Sequence, residues 1–218
     1  MTDPERPGAG DWVPARVASG RAGIGELERA AQDCRGCELW AKATQLVFSS
    51  GDPTAPLMLV GEQPGDREDR EGVPFVGPAG HLLGEALDSA GIDRGSIYLT
   101  NAVKHFRFSE APRGKRRIHA TPEVGHITAC HPWLQSEMAI VRPDVVVCLG
   151  ATAGRSVLGR AVRVGAERGT VLGERVDGSR VLITAHPSAV LRLRGKNGFD
   201  EAFDRLVTDL ASAKAAVR

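Results

Sequence analysis

A run of basic residues followed by a histidine is the most unusual chemical feature of this sequence. The segment RGKRRIHATP, residues 113 to 122, carries four cationic side chains within positions 113 to 117, and His119 follows. A neutral imidazole is a competent nucleophile near physiological pH because the ordinary pKa of histidine is about 6.5. The segment is either a basic loop that contacts phosphate or a loop that delivers the histidine as a reactive group.

Four cysteines form the second candidate site. Cys34 and Cys37 make a C-x-x-C pair with a glycine that permits a tight turn, and Cys130 and Cys148 stand alone further along. Disulfide scaffolds are typical of small secreted domains, and a chain of 218 residues with four cysteines does not fit that class. The remaining roles for these cysteines are metal binding, catalysis and ordinary burial in the core. The spacing keeps zinc and iron–sulfur open as alternatives. By itself, Cys148 at the end of VVVC is typical of a small buried hydrophobe.

Three polar residues directly follow apolar runs and could act on a ligand. Glu62, in GEQPG, could activate water or stabilise an oxocarbenium-like transition state, or it could be an exposed turn glutamate. Asn101 suits the edge of a base, although asparagine is also a common strand terminator. His186, in AHPS, could donate a hydrogen bond to a developing anion, although His-Pro is often only a turn.

Four short apolar runs predict the strands that must position these groups. The runs span residues 55–62, 96–103, 143–150 and 179–187. Helical patterns lie near residues 78–90, 122–141, 151–158 and 199–215, and residues 23–34 predict a helix that delivers the C-x-x-C pair. This alternation predicts an α/β fold with a mainly parallel sheet and right-handed crossovers.

One edge of that sheet is expected to hold the site. In an open parallel sheet, ligands bind beyond the carboxyl ends of the strands. The four strands are followed by GEQPG, NAVKH, CLGATAG and HPS, all of them polar or rich in glycine. We therefore expect these segments to build a single site.

Length and charge limit the possible functions. The chain has 28 Lys and Arg against 27 Asp and Glu, so nucleic-acid binding must come from local patches. Residues 1–20 predict a loosely ordered lead-in, and residues 21–218 a single domain. No segment has the pattern of a signal peptide or a membrane span, so a cytoplasmic protein without membrane contact is expected. Without a heptad repeat, a monomer is expected.

Six ordered motifs resemble those of the iron–sulfur uracil-DNA glycosylases, family four of their superfamily. The motifs are GEQPG, PFVGPAG, TNAVKH, HPWL after Cys130, VVVCLGATA and HPS, and they extend from about Cys34 to the carboxyl terminus. Two features depart from the ordinary enzymes, namely Gln63 in place of the usual alanine and the added loop GKRRIH. Both features resemble those of the UdgX subgroup. Members of that subgroup become covalently attached to uracil-containing DNA through the histidine of this loop.

The resemblance implies a fold and a cofactor. The fold is a three-layer α/β/α sandwich around a four-stranded, mainly parallel sheet. The cofactor is a [4Fe-4S] cluster that holds the amino-terminal helix and loops in position. Its implied thiolate ligands are Cys34, Cys37, Cys130 and Cys148.

The resemblance also implies roles in the pocket. Glu62 assists cleavage, Asn101 reads the base edge, and His186 faces a uracil carbonyl, while Gln63 belongs with the substrate-binding residues. The resemblance further implies that Phe75 stacks on uracil. A phenylalanine beside proline in a glycine-rich segment is a poor core residue, which favours stacking over packing.

Basic residues near two of these motifs are candidate DNA contacts. In residues 186–196, Leu191 is a candidate wedge and Arg192 a phosphate contact, although a plain solvated basic loop is the alternative. Lys115, Arg116 and Arg117 are expected to anchor the histidine loop on phosphate or on protein carboxylates. His105 is expected to support the pocket.

The sequence therefore predicts a protein that binds uracil-containing DNA, with single strands accepted, and excises uracil. His119 is predicted to attack the resulting sugar C1′, so that the protein is trapped after a single turnover. One alternative is a conventional family-four enzyme with multiple turnovers, in which His119 only contacts DNA. The other is an iron–sulfur DNA-binding module without catalysis.

Overall fold

A six-stranded sheet lies at the centre of the protein. The computed structural model describes residues 8–18, 23–111 and 117–218. The strands of the sheet are β1 (Ser49–Gly51), β2 (Leu57–Gly61), β3 (Tyr98–Asn101), β6 (Val145–Leu149), β7 (Val171–Val176) and β8 (Ser179–Thr184). Their order across the sheet is β1-β3-β2-β6-β8-β7. The remaining strands, β4 (Phe108–Glu110) and β5 (Arg117–His119), form a separate antiparallel pair.

The four central strands are the four that the apolar runs predict. They are parallel to one another, whereas β1 and β7 pair antiparallel at the two edges. Every residue of β2, β3 and β6 is buried, which explains their continuous apolar sequences. The edge strands contain Ser49, Ser50 and Gly173, so their sequences lack the apolar signal of the central strands.

Helices cover both faces of the sheet, and the predicted three-layer α/β/α arrangement is confirmed. The helices are α1 (Ala15–Ala18), α2 (Ile24–Ala31), α3 (Asp66–Glu71), α4 (Pro78–Ser89), α5 (Val124–Val141), α6 (Ala151–Leu158), α7 (Val164–Glu167), α8 (Pro187–Leu191) and α9 (Phe199–Ala215). Alternate residues of each strand enter different layers. In β6, Val145, Val147 and Leu149 pack with α4, α8 and α9. Val146 and Cys148 pack with α5 and α6 on the other face.

A third apolar cluster joins the amino-terminal segment to α5. It contains Leu27 of α2, Trp133 of α5 and Cys34 between them. Within the segment expected to be a loosely ordered lead-in, residues 9–12 form a 3-10 helix, and Ala9 is buried in this cluster. Gly36 lies so close to this segment that a Cβ atom there would be 2.5 Å from the carbonyl carbon of Gly8. The glycine of the C-x-x-C pair therefore permits close packing by the amino-terminal segment.

The β4–β5 pair carries the histidine segment. Phe108 pairs with His119 and Glu110 with Arg117. Lys115 and Arg116 lie outside the described residues. Of the helices that the structure describes, none has both the length and the apolar character needed to cross a membrane.

Candidate functional site

The carboxyl ends of β2 and β3 bring a phenyl ring and an amide together. Gly61 pairs with Asn101 across these strands. A Cβ atom on Gly61 would lie 2.3 Å from Oδ1 of Asn101 and 2.6 Å from Cζ of Phe75. Only a glycine leaves room for both groups at this point. The predicted stacking residue and the predicted base reader are therefore neighbours at the sheet edge.

Phe75 also belongs to the core of the protein. It is 6% exposed and packs in the apolar cluster between the sheet and α4, contrary to the expectation that it is a poor core residue. Its φ angle of 58° is unusual for a non-glycine residue. Arg94 donates hydrogen bonds to the carbonyl oxygens of Phe75, at 2.7 Å, and Gly80, at 3.2 Å. These bonds hold the phenylalanine in an uncommon backbone conformation with its ring edge at Gly61.

A buried carboxylate ties two of the glycine-rich loops together. Glu68 of α3 accepts the backbone N–H of Gly65 at 3.1 Å and that of Gly77 at 2.9 Å. It thereby joins the loop after β2 to the loop that carries Phe75. In the sequence, Glu68 lies within the charged run DREDRE, which resembles an ordinary exposed helix. Sequence reasoning missed this positioning residue because burial is a tertiary property.

The Glu62 carboxylate is held between a helix and the histidine hairpin. Its Oε2 accepts the hydroxyl hydrogen of Thr152, in the first turn of α6, at 2.6 Å. Its Oε1 lies 3.5 Å from Nε2 of His119. The side chain is 21% exposed, so Glu62 is not the freely solvated turn residue of the alternative interpretation. Thr152 was not singled out from the sequence, although its segment CLGATAG was placed at this edge.

Gln63 connects the same loop to the base of the hairpin. Its Nε2 donates to the carbonyl oxygens of Arg107 and Ala120, each at 3.1 Å. Its Oε1 accepts the backbone N–H of Arg107 at 3.0 Å. Nε2 is also 2.9 Å from Nε2 of His119. The predicted substrate-binding residue therefore contacts the protein's own histidine segment.

Arg117 anchors the hairpin on protein carboxylates, one of the two roles expected for it. Its guanidinium group forms ion pairs with Asp66 and Asp69, and the Asp69 contact is 2.5 Å. The same group lies 5.4 Å and 5.0 Å from the ring centroids of Phe106 and Phe108. Because the Arg117 side chain is only 12% exposed, it has little surface left for a DNA phosphate.

The hydrogen bonding and burial of His186 fix which of its ring nitrogens carries the proton. It caps α8, and its Nδ1 accepts the backbone N–H of Ser188 at 3.1 Å. Burial, assisted by the positive charge of Arg192, lowers the pKa of His186 to about 4. A neutral ring with its Nδ1 lone pair occupied must carry its proton on Nε2. This residue is therefore a hydrogen-bond donor, as the role facing a uracil carbonyl requires.

The segment after His186 forms a short helix with one exposed basic side. Leu191 is partly buried against the core cluster that contains α4 and α9. Arg192 is exposed, and its Nε donates to the carbonyl oxygen of Ser188 at 3.2 Å. This arrangement leaves the Arg192 guanidinium on the surface next to His186.

Three of the four cysteines line one small cavity. They are Cys34, Cys37 and Cys130, and His105 and Lys104 line the same space. The Sγ atoms of Cys34 and Cys130 accept hydrogen bonds from the Trp133 indole, at 3.4 Å, and the Lys104 backbone N–H, at 3.3 Å. None of the cysteines, all of which are described, forms a disulfide. N–H donors directed at sulfur stabilise thiolates and are typical of iron–sulfur sites.

Cys148, the fourth predicted ligand, is not among the residues that line this cavity. It is fully buried in β6, between Val60 of β2 and Ile183 of β8, and packs in the apolar layer that contains Met138 and Ala153. Burial raises the pKa of its thiol to about 12, and no other cysteine contributes to that shift. The interpretation of Cys148 as a small buried hydrophobe, which its sequence context alone favours, agrees with this packing.

The donor set around the cavity fits a cluster better than a single ion. Within residues 8–18, 23–111 and 117–218, no three His, Cys, Asp or Glu side chains are grouped to hold one metal ion. The ligands of a four-iron cluster each bind a different iron atom and therefore lie farther apart than the ligands of one ion. Three cysteines and one imidazole around a shared cavity fit that requirement.

A buried ion pair lies directly beside the cysteines. Lys104 and Glu137 have no exposed side-chain surface, and their Nζ and Oε2 atoms are 2.5 Å apart. The other oxygen of Glu137 accepts hydrogen bonds from Thr100 at 2.8 Å and Tyr98 at 3.0 Å. Burial and the adjacent Glu137 raise the pKa of Tyr98, so its hydroxyl stays protonated as a donor. The network links β3, which ends at Asn101, to the helix that carries Cys130.

Comparisons with known proteins identify the family of this chain. Residues 48–211 match the family model described as the uracil DNA glycosylase superfamily. A type-4 uracil-DNA glycosylase of Thermotoga maritima is 35% identical over 186 residues, which cover 85% of this chain and 90% of that protein.

Two archaeal proteins show similar relationships. The type-4 uracil-DNA glycosylase of Pyrobaculum aerophilum is 34% identical over 78% of this chain and 87% of its own length. That of Archaeoglobus fulgidus is 33% identical over 77% of this chain and 83% of its own length. The matched region contains both strand ends, the histidine hairpin and His186. The chain belongs to the uracil DNA glycosylase superfamily.

Proposed function

We propose that this protein excises uracil from DNA and then becomes covalently attached to the abasic sugar through His119, as expected for a UdgX-type member of the superfamily. The observation that carries the proposal is the 3.5 Å separation between Nε2 of His119 and Oε1 of Glu62. A carboxylate that assists cleavage and a nucleophile that captures its product must both reach the same sugar carbon. Glu62 directly follows Gly61, the glycine that lies against Asn101 and Phe75 at the sheet edge.

Cleavage breaks the bond between uracil N1 and C1′, and the bonding electrons leave with the base. The departing uracil anion is stabilised by the Nε2–H of His186 and held by the Asn101 amide. The cation that develops at C1′ is stabilised by the Glu62 carboxylate, which Thr152 orients. Phe75, with its ring edge at Gly61, supplies the aromatic surface of the pocket.

Gln63 supports the nucleophilic role of His119. Its amide orientation follows from its backbone partners, because Oε1 must accept from the Arg107 N–H and Nε2 must donate. The two hydrogens of the Gln63 amide are shared among three acceptors, namely the carbonyl oxygens of Arg107 and Ala120 and Nε2 of His119 at 2.9 Å. Because an amide nitrogen does not accept, this contact favours a His119 ring with its proton on Nδ1 and its lone pair on Nε2. That lone pair attacks C1′, and the product is an imidazolium N-glycoside in which the His119 ring occupies the position from which water would attack C1′.

A [4Fe-4S] cluster is part of the proposal. Cys34, Cys37 and Cys130 would hold it, and when bound it would fix the C-x-x-C loop against α5 and the loop after β3. We propose no redox step. The protein is expected to act as a DNA repair protein in the cytoplasm, as a monomer, with DNA contacts from Arg192 and from the hairpin residues Lys115 and Arg116.

The test is a denaturing gel after incubation with a single-stranded uracil oligonucleotide. A protein–DNA band that survives denaturation is expected with the unaltered protein and is expected to disappear with His119→Ala. The control is His81→Ala, which removes an exposed histidine on α4. Free abasic product with multiple turnovers would instead identify a conventional glycosylase, and intact uracil DNA would favour a non-catalytic DNA-binding module.

A further inference from the structure

We propose that His105, and not Cys148, is the fourth protein ligand of the iron–sulfur cluster. The inference rests on the cluster included in the proposed function and names the residues that hold it. The resulting ligand set is Cys34, Cys37, Cys130 and His105, three thiolates and one imidazole. All four line the same cavity.

The position of Cys148 argues against a ligand role. Its neighbours in the sheet are Val60 and Ile183, and its side chain packs among residues of β2, β8, α5 and α6. In contrast, Cys34 and Cys130 belong to the amino-terminal cluster together with Trp133. To reach the cavity, Cys148 would have to leave a strand paired on both sides, which would break the central sheet.

The imidazole of His105 has the properties of an unused ligand. The residue is only 7% exposed, and its side chain makes no hydrogen bond to any part of the chain that the structure describes. Neither ring nitrogen is among the fully buried atoms of the described residues that lack a partner, and the side chain lines the cavity that Cys34, Cys37 and Cys130 also line. An imidazole nitrogen that makes no hydrogen bond within the described chain and faces three thiols is available to bind iron.

The loop that carries His105 joins the cysteine cavity to the segment that carries Glu62. The preceding residue, Lys104, donates its N–H to Sγ of Cys130 at 3.3 Å. One residue before Lys104, Val103 donates its N–H to the carbonyl oxygen of Glu62 at 3.0 Å. A ligand at position 105 would thus hold the loop that follows Asn101 and supports the Glu62 backbone.

The exchange of a thiolate for a neutral imidazole has an electronic consequence. It makes the cluster less negative by one charge, and histidine ligation raises the reduction potential of iron–sulfur centres. The proposal therefore predicts a higher potential for the native cluster than for the same protein with four thiolates.

The test compares iron content and spectra in four forms of the full chain: unaltered, Cys148→Ala, His105→Ala and His105→Cys. The unaltered protein and Cys148→Ala are both expected to bind about four irons per chain. His105→Ala is expected to lose at least one of these irons, and His105→Cys is expected to retain all of them with a lower reduction potential. In protein labelled with 15N-histidine, pulsed EPR of the reduced cluster should show nitrogen coupling that is absent from His105→Cys.

Several results would overturn the proposal. These are iron loss in Cys148→Ala together with full iron in His105→Ala, absence of nitrogen coupling in the unaltered protein, or absence of iron from it. The 15N measurement needs no variant that might fail to fold. Uracil excision is assayed separately on the same samples, so inactive protein with a normal histidine-coupled cluster would refute the proposed function and leave the ligand assignment standing.

Discussion

Nη1 of Arg117 lies 2.5 Å from the carboxylate of Asp69, a side chain with no exposed surface. Arg117 is two residues before His119, and Asp69 belongs to α3, which follows the GEQPG loop. The Asp69 carboxylate also accepts the backbone N–H of Thr44 at 3.0 Å. The hairpin that carries His119 is therefore anchored by a buried charge pair and not only by the Gln63 hydrogen bonds.

Arg117→Ala is expected to destabilise the protein by about 3 kcal/mol, because it leaves the buried Asp69 carboxylate without its cation. Urea unfolding measures the loss. The matched control is Arg70→Ala, which removes an exposed partner of Asp66 and should cost less than about 1 kcal/mol. Equal losses in the two variants would show that the Asp69 pair has no special role.

Gln63→Ala and Gln63→Glu are both expected to slow covalent adduct formation about tenfold or more, because neither side chain donates a hydrogen bond to His119. Single-turnover gel assays with uracil DNA give the rate. Gln45→Ala removes an exposed glutamine that bonds the Arg70 carbonyl, so its adduct rate should match that of the unaltered protein. An undiminished rate in Gln63→Glu would rule out the donor role.

Gly61→Ala is expected to reduce uracil excision about a hundredfold, because the new methyl group displaces the Asn101 amide and the Phe75 ring. Excision is measured as abasic-site formation under single-turnover conditions. In Gly165→Ala the new Cβ meets nothing within 4 Å, so that variant should keep full activity. If Gly61→Ala were equally active, the pocket could not lie between these two side chains.

His186→Asn is expected to reduce the loss of stability at acid pH. The pKa of His186 is lowered to about 4, whereas an unfolded chain binds the proton near pH 6.5. Between these values the unfolded state binds more protons, so the His186 contribution to stability is complete above about pH 6.5 and falls as the pH falls towards 4.

Asparagine does not titrate and can still accept the Ser188 N–H as a helix cap. The free energy of unfolding in urea, measured at about pH 7.5 and about pH 4.5, should therefore fall more for the unaltered protein than for His186→Asn, by up to about 1.4 kcal/mol per pH unit. An equal decrease in the free energy of unfolding in the two proteins would show that His186 titrates normally in the folded protein.

The sequence by itself determined the four parallel strands and the edge at which the site lies. Strands such as VVVCL are apolar at every position because both faces are covered, and that pattern is local. The loops after these strands must then meet, which brought Glu62, Asn101 and His186 into one prediction. The edge strands were missed because polar pairs such as Ser49 and Ser50 have no comparable pattern.

Only the tertiary structure decided which side chains share a space. Whether Cys148 or His105 lies with the other cysteines depends on which sheet face and which loop adjoin α5, and no spacing along the chain contains that information. The positioning roles of Glu68 and Asp69 also depend on tertiary contacts that the sequence does not show. A carboxylate in a charged helix has the same sequence signature whether it is solvated or buried, and only its distant partners, Gly77 and Arg117, distinguish the two states.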